Sequence, residues 1–222
     1  MKPNSITLGT RMTRTLTIME IIMSMEQQKS FIARIRCDDT KMKFFDQMLP
    51  NSAGQGNILT SAHRFSDITG QMVRVHRRND GAGRTRSDDM VVYFGCHGDY
   101  YNIQVRSEAW FGKYLSKNNF GVLGAFPGAG GNTTSFNLLN LDQQIITLDD
   151  IKKNDVTVYL KARHAGTIKR HLIDSPKMYA YSDEVGEGVT FSLKVLERDV
   201  PYPTSSSPYP LFIEARDQSD DD

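Results

Sequence analysis

The chain has 222 residues, with 27 Lys and Arg against 26 Asp and Glu, so its formal net charge is +1. Overall charge therefore argues neither for nor against nucleic acid or an acidic membrane as a partner, and such a partner would be met by a local patch. This length suits one domain with extensions or a single large all-β domain. The two cysteines, Cys37 and Cys96, are too few for a disulfide framework.

Residues 1–30 are predicted to form an N-terminal extension. The first ten residues are polar and do not resemble a secretory signal. The apolar run Ile18–Met25 contains Glu20 and Ser24, and it is much shorter than the roughly 20 residues that a membrane helix needs. We therefore expect no membrane-spanning segment and a cytoplasmic location. A leaderless secreted protein or a virion protein would have the same sequence features.

Short stretches in which apolar and polar residues alternate predict half-buried strands from Phe31 onward. The first four are predicted at Phe31–Arg36, Lys41–Phe45, Asn57–Ala62 and Met72–His76. The next four are predicted at Tyr101–Arg106, Lys113–Ser116, Val122–Phe126 and Ser135–Leu139. The last four are predicted at Val156–Lys161, Thr167–His171, Lys177–Tyr181 and Val189–Val195. A linker with one extra strand is predicted between Asp142 and Asp155.

The second and third groups of strands repeat one another at a constant offset of 55 residues. The matched pairs are Leu123/Met178, Ala125/Ala180, Phe126/Tyr181, Phe136/Phe191, Leu138/Leu193 and Leu141/Leu196. A weaker copy in the first group is carried by Ala62, Val73 and Val75. Such self-similarity is typical of repeat architectures. Three units of four strands predict an all-β fold, a β-trefoil over residues 31–200, in which half of the strands close a barrel and the others cap it as hairpins.

A jelly-roll β-sandwich is the alternative fold, and it would suit a structural coat or assembly protein. Many short strands between a polar N-terminal arm and a Pro-rich C-terminal arm fit that architecture too. Residues 201–222, rich in Pro and Ser with an acidic end, are predicted to be a C-terminal tail. The N-terminal arm lacks a basic cluster, so we do not expect nucleic acid as a partner.

One stretch of the second unit resembles a repeat of the fascin-like β-trefoils. It runs Phe111-Gly-Lys-Tyr-Leu-Ser116, then Val122-Leu-Gly-Ala125, then Ser135-Phe-Asn-Leu138. The third unit keeps Gly166 but has Thr-Ile-Lys after it, and the first unit has no glycine there. The resemblance implies a β-trefoil. Family members that bundle actin use several trefoils in tandem, so we do not expect filament crosslinking from a single one.

Two groups of residues are candidates for ligand binding. Arg77, Arg78, Arg84 and Arg86 lie in a Gly-rich loop after Arg74, and guanidinium groups match phosphate, sulfate or carboxylate. Tyr100 and Trp110 belong to an aromatic group near the start of the second unit, and Trp110 is expected on an exposed loop. Exposed rings there would stack on a sugar or anchor a protein partner. Trp110 is the only Trp, and it lacks the Gln-x-Trp pattern of ricin-type lectins.

No motif in the sequence indicates a catalytic centre. Cys96 and His97 are adjacent, and neighbours on a strand point to opposite faces, so they are not expected to form a catalytic pair. His164 and His171 are separated by a predicted turn, and neither a metal nor another cofactor is expected. The glycines at 128–131 are expected in a hairpin turn, because no Lys-Ser/Thr follows them.

The sequence thus predicts a non-enzymatic recognition module that meets its ligand with surface loops. The expected partner is a glycan, an anionic ligand or another protein. Homo-oligomer formation through the terminal arms is a further expectation. The coat or assembly protein and a small toxin or thiol enzyme centred on Cys96 are the alternatives.

Overall fold

The structure, a computed structural model, describes residues 28–38, 40–48, 58–61, 89–107, 109–128, 133–174 and 177–200. The first seven strands are β1 (Phe31–Cys37), β2 (Thr40–Phe44), β3 (Leu59–Ser61), β4 (Met90–His97), β5 (Tyr100–Val105), β6 (Tyr114–Lys117) and β7 (Leu123–Phe126). The other seven are β8 (Ser135–Leu139), β9 (Ile145–Ile146), β10 (Asp155–Ala162), β11 (Lys169–Asp174), β12 (Lys177–Ser182), β13 (Glu187–Gly188) and β14 (Phe191–Arg198). The helical segments are α1 (Phe45–Met48) and a 3-10 helix (Leu148–Asp150). Neither helix of these ranges has the length and apolar character to cross a bilayer.

Six strands form a closed barrel. Going around it, β1 pairs with β4, β4 with β5, β5 with β8, β8 with β10, β10 with β14, and β14 with β1. Every pair is antiparallel. Because the ring is closed, none of its strands is left with an unpaired edge of the kind that recruits other chains. A closed ring differs from the two stacked sheets of the jelly-roll alternative.

Three two-stranded hairpins are added to the barrel, and they contact one another. The hairpins are β2–β3, β6–β7 and β11–β12. Their mutual backbone pairs are Ala180–Thr60, Ile58–Gly124 and Val122–Ser182. The residues next to these pairs that point into the core are Leu59, Leu123 and Tyr181, all with 0% exposure. The hairpins therefore share one apolar centre, continuous with the barrel core.

The barrel core is built from matching positions on alternate strands. Val92, Phe136 and Phe191 are each flanked by two inward residues of the neighbouring strands, and all three are fully buried. The flanking pairs are Ala33 and Val105 for Val92, Tyr101 and Ala162 for Phe136, and Val158 and Cys37 for Phe191. Each of these three positions therefore fills the same shared interior.

Eleven of the twelve predicted strands overlap an observed strand, and the extra strand expected near Ile145 is β9. The remaining prediction, Met72–His76, lies outside the described residues together with Ala62, Val73 and Val75. In the barrel, β4 lies between β1 and β5, and no strand was predicted there from the sequence. The predicted extension up to residue 27 and the predicted tail 201–222 also lie outside the described residues.

Candidate functional site

The predicted ligand-binding residues fall into three places. Arg77, Arg78, Arg84 and Arg86, together with Arg74, lie outside the described residues, so the arginine loop stays a prediction. Trp110 lies in the turn between β5 and β6, and Tyr100 begins β5. The contacts of Trp110 are with Phe44 and Asp46, whereas those of Tyr100 are with His97 and Arg163, so the structure does not join the two aromatics in one site.

Trp110 is half-buried rather than exposed on its loop, which corrects the expectation from the sequence. Its indole Nε1–H donates to Asp46 Oδ1 at 3.3 Å, and its ring centroid lies 6.0 Å from that of Phe44. Its φ of +60° is in the left-handed region, which turns the chain sharply before Gly112. The indole ring packs against the hydrophobic core, and its N–H already donates to Asp46.

Tyr100 forms a three-membered stack with two side chains from different elements. The imidazole of His97 lies 5.4 Å from the Tyr100 ring centroid at an interplanar angle of 19°. The guanidinium carbon of Arg163 lies 4.0 Å from the same centroid, a cation–π contact. We call His97, Tyr100 and Arg163 the Tyr100 stack. Its aromatic members come from the two strands of one hairpin, while Arg163 follows β10.

A tight turn brings His97 and Tyr100 together. Gly98 has a φ of +74°, which a residue with a Cβ adopts only with strain, so the two-residue connection from β4 to β5 depends on this glycine. The Asn137 amide donates to the Asp99 carbonyl at 2.7 Å and fixes the turn from the side of β8. His97 and Tyr100 are opposite one another in the β4–β5 register.

Hydrogen bonds with Asn102 and Ser135 hold His97 and the backbone of Arg163 in place. Asn102 Nδ2 lies 3.1 Å from His97 Nε2. The amide nitrogen is a donor, so this contact is a hydrogen bond when His97 Nε2 carries no proton. The Ser135 hydroxyl donates to Asn102 Oδ1 at 3.4 Å, and the Ser135 carbonyl accepts the backbone N–H of Arg163 at 2.9 Å. Ser135 thus links the backbone that carries Arg163 to the amide that holds His97.

The Arg163 guanidinium is positioned by Tyr100 and has no ionic partner among the described residues. It is half-buried, and within the described part of the chain its side chain makes no hydrogen bond and no ion pair. Its guanidinium carbon lies over the Tyr100 ring, and its N–H donors make no bond to a described residue, so they can serve another group. Guanidinium donors in this geometry match carboxylate, sulfate or phosphate oxygens.

Tyr100 is a candidate from the sequence, whereas Arg163 is not. The two residues are 63 positions apart, and nothing in the pattern around Arg163 distinguishes it from an ordinary charged turn. Only the pairing of β5 and β10 with β8 brings them together. His97 was noticed for its neighbour Cys96, although its structural partner is Tyr100.

Neither cysteine is placed for nucleophilic chemistry. Both are free and buried. Cys96 points into the core and contacts the Gly98 carbonyl at 3.5 Å, whereas His97 is exposed on the other face of the strand. Burial raises the pKa of the Cys37 thiol to about 11, which keeps it protonated at neutral pH. Over the residues that the structure describes, no three His, Cys, Asp or Glu side chains come together as a metal site.

Comparison with known proteins adds no family to this geometry. A scan against models of protein families and a search of curated proteins both returned no match.

Proposed function

We propose that this chain is a β-trefoil recognition module, not an enzyme, and that it binds an acidic glycan at the Tyr100 stack. The trefoil assignment is supported by the order of strands around the six-stranded barrel and by the three hairpins that contact one another. The matching burial of Val92, Phe136 and Phe191 supports it as well, because it follows a threefold pattern.

The local structure of the second unit also supports the fascin-like resemblance. In the stretch Phe111–Ser116, Gly112 has a φ of +76° and its N–H donates to the Val105 carbonyl at 2.9 Å, which makes the turn into β6. Leu115 is fully buried in the core. The glycine and the apolar residue of the motif therefore have the turn-forming and core-filling roles that such a repeat requires.

The guanidinium of Arg163, which has no ionic partner among the described residues, is the single observation that carries the proposed ligand. A cation oriented by an aromatic ring, with no carboxylate from the described ranges against it, is suited to bind an anionic group of a ligand. Sulfated and uronic-acid sugars supply such groups. A neutral sugar would leave the charge of Arg163 unused.

The neighbours of Arg163 suit the rest of a sugar ring. The exposed imidazole of His97 offers a flat surface for the apolar face of a sugar, and the Asn102 amide offers hydrogen bonds to hydroxyl groups. Tyr100 is assigned a positioning role, because its own ring already carries both His97 and Arg163.

A binding experiment with matched charge changes tests this function. Biolayer interferometry would compare immobilised heparin fragments and polygalacturonate fragments with neutral cello-oligosaccharides. Arg163→Gln should weaken binding to the acidic glycans about tenfold or more, the value of a lost charge-assisted hydrogen bond. Arg163→Lys should weaken it less, because the charge remains while the fork is lost.

Lys153→Gln is the control. Lys153 is exposed at the other end of β10, and the substitution removes the same charge. Equal losses for Arg163→Gln and Lys153→Gln would mean that binding follows net charge, and the site would be wrong. Absence of binding to both acidic glycans by the wild-type protein would also refute the proposal.

A further inference from the structure

A second feature of interest is a cleft in the outer wall of the barrel, where β1, β14 and β10 run side by side. Its volume is about 500 Å³, and outward-pointing residues of these strands line it. Two rows of side chains cross it in register. The first row is Arg34, Lys194 and Asp155, and the second is Arg36, Ser192 and Thr157.

Two cations face each other in the first row. Arg34 on β1 is directly opposite Lys194 on β14, an arrangement that destabilises a sheet when nothing lies between the charges. Within the described ranges, neither side chain makes a hydrogen bond or an ion pair. Lys194 is exposed and Arg34 is half-buried.

Arg34 adds an independent observation. Its Nε atom is buried and has no hydrogen-bond partner. A buried donor without an acceptor is costly in a folded protein, and a charged donor more so. The described residues supply no acceptor for this atom, so a negative charge beside the Arg34 guanidinium would offset part of this cost electrostatically.

The carboxylates around the cleft do not satisfy these cations. Asp89 is held by Arg36 at 2.6 Å, and Asp38 is held by Arg170 at 3.1 Å and by the Thr190 hydroxyl at 2.8 Å. Asp155 is exposed beside Lys194 in the register, without an ion pair between them.

We propose that this cleft binds a tetrahedral oxyanion, a phosphate or sulfate group, between Arg34 and Lys194. The hydroxyls of Ser192 and Thr157, opposite each other in the next row, are the additional donors. Neither hydroxyl makes a hydrogen bond within the described ranges, so both can turn toward the anion. The bound group would separate the two cations and accept from the N–H groups at the end of the Arg34 guanidinium, which are not among its buried atoms.

This site is distinct from the Tyr100 stack. Asp155 begins β10 and Arg163 follows its end, so at about 3.3 Å per residue the two places are roughly 25 Å apart. The oxyanion site does not depend on the glycan proposal, and its variants change other residues.

NMR of the arginine Nε–H groups tests the site directly. The cross-peak that disappears in Arg34→Gln identifies the Arg34 signal. Inorganic sulfate and inorganic phosphate would be titrated at constant ionic strength, with chloride as the balancing salt. Each should shift the Arg34 signal in a saturable way, and tighter binding of one indicates whether the natural group is a sulfate or a phosphate.

Variants that keep the fold sharpen the result. Lys194→Gln should weaken binding of the anion about tenfold. Asp155→Asn should strengthen binding, because it removes a competing negative charge. Lys153→Gln should leave the affinity as it is. A shift that chloride reproduces, the lack of a saturable shift, or wild-type affinity in a folded Lys194→Gln protein would overturn the proposal.

Discussion

The hydroxyl of Tyr101 accepts the backbone N–H of Leu148 at 2.9 Å, inside the protein. Tyr101 lies on a barrel strand, and Leu148 begins the 3-10 helix that leads from β9 to β10. This bond is one of the contacts that hold the connection between the second and third groups of strands against the barrel, together with the Arg198 guanidinium, which donates to the Ile151 carbonyl. Burial raises the pKa of the Tyr101 phenol, so the hydroxyl stays protonated.

Replacing Tyr101 with Phe should lower the free energy of unfolding by about 1–3 kcal/mol, because it leaves the buried Leu148 N–H without an acceptor. Urea unfolding measures the change. Tyr159→Phe is the matched control, since the Tyr159 hydroxyl makes no hydrogen bond within the described ranges. Equal effects of the two substitutions would show that the bond to Leu148 contributes nothing specific.

Phe136 and Phe191 fill matching places in the barrel, and both have 0% exposure. Truncation of either to Ala should cost about 3–5 kcal/mol, because the cavity cannot be filled by neighbours held in a closed ring. Phe120→Ala is the control, because Phe120 is 82% exposed. A thermal melt like that of the wild type for Phe136→Ala or Phe191→Ala would remove that residue from the common core.

The buried thiol of Cys37 should make stability depend on alkaline pH. Burial raises its pKa from 9.0 to about 11, and the nearby Tyr181 and Arg170 oppose the shift only in part. Since the raised pKa belongs to the folded state, the thiol ionises first in the unfolded chain. Its contribution is complete below pH 9.0 and is lost as the pH rises toward about 11.

Urea unfolding of the wild type and of Cys37→Ala over this pH range isolates the effect, because other ionisations are common to both proteins. The stability of the wild type should fall more steeply with pH than that of the variant. Parallel curves would mean that the Cys37 thiol ionises equally well in the folded protein.

Trp110 should contribute to the stability of the fold and not to ligand binding. Trp110→Phe removes the indole N–H that donates to Asp46 and should cost about 1 kcal/mol. The affinity for acidic glycans should stay unchanged, because Trp110 has no contact with the Tyr100 stack. Loss of affinity with unchanged stability would restore the ligand-binding role that the sequence suggested.

The strands that could be predicted from the sequence are those with one buried face. In β1, the inward Ala33 and Ile35 alternate with the half-buried Arg34 and Arg36, and this alternation in the sequence predicts the strand. In β4, the outward residues Val91 and Tyr93 are covered by Ile32 and Val200, so the strand is buried on both faces and its pattern does not alternate. A continuous apolar run carries no period, and β4 is therefore absent from the predicted strands.

The repeat predicted the closing strands better than the hairpins. Phe136 and Phe191 do occupy matching places, as the offset indicated. In the hairpins, Tyr181 rather than Met178 lies where Leu123 lies. The reason is that Phe136 follows Leu123 by 13 positions, whereas Phe191 follows Tyr181 by only 10. A constant offset cannot follow such a local insertion.

The candidate sites depend on contacts between strands distant in the sequence. Arg163 reaches Tyr100, and Arg34 faces Lys194, only after the barrel has closed. Local patterns mark exposed arginines but do not reveal which of them lack a carboxylate. That information lies in the register of the sheet.

The pairing of β1 with β14 joins the earliest and latest strands of the barrel along seven matched residues of β1. A ribosome therefore releases β14 long after β1, and until then β1 has an open backbone edge on that side. Contacts so far apart along the chain favour slow folding and prolonged exposure of such an edge. A nascent chain that stops before β14 should need a chaperone, or a neighbouring chain, to cover β1.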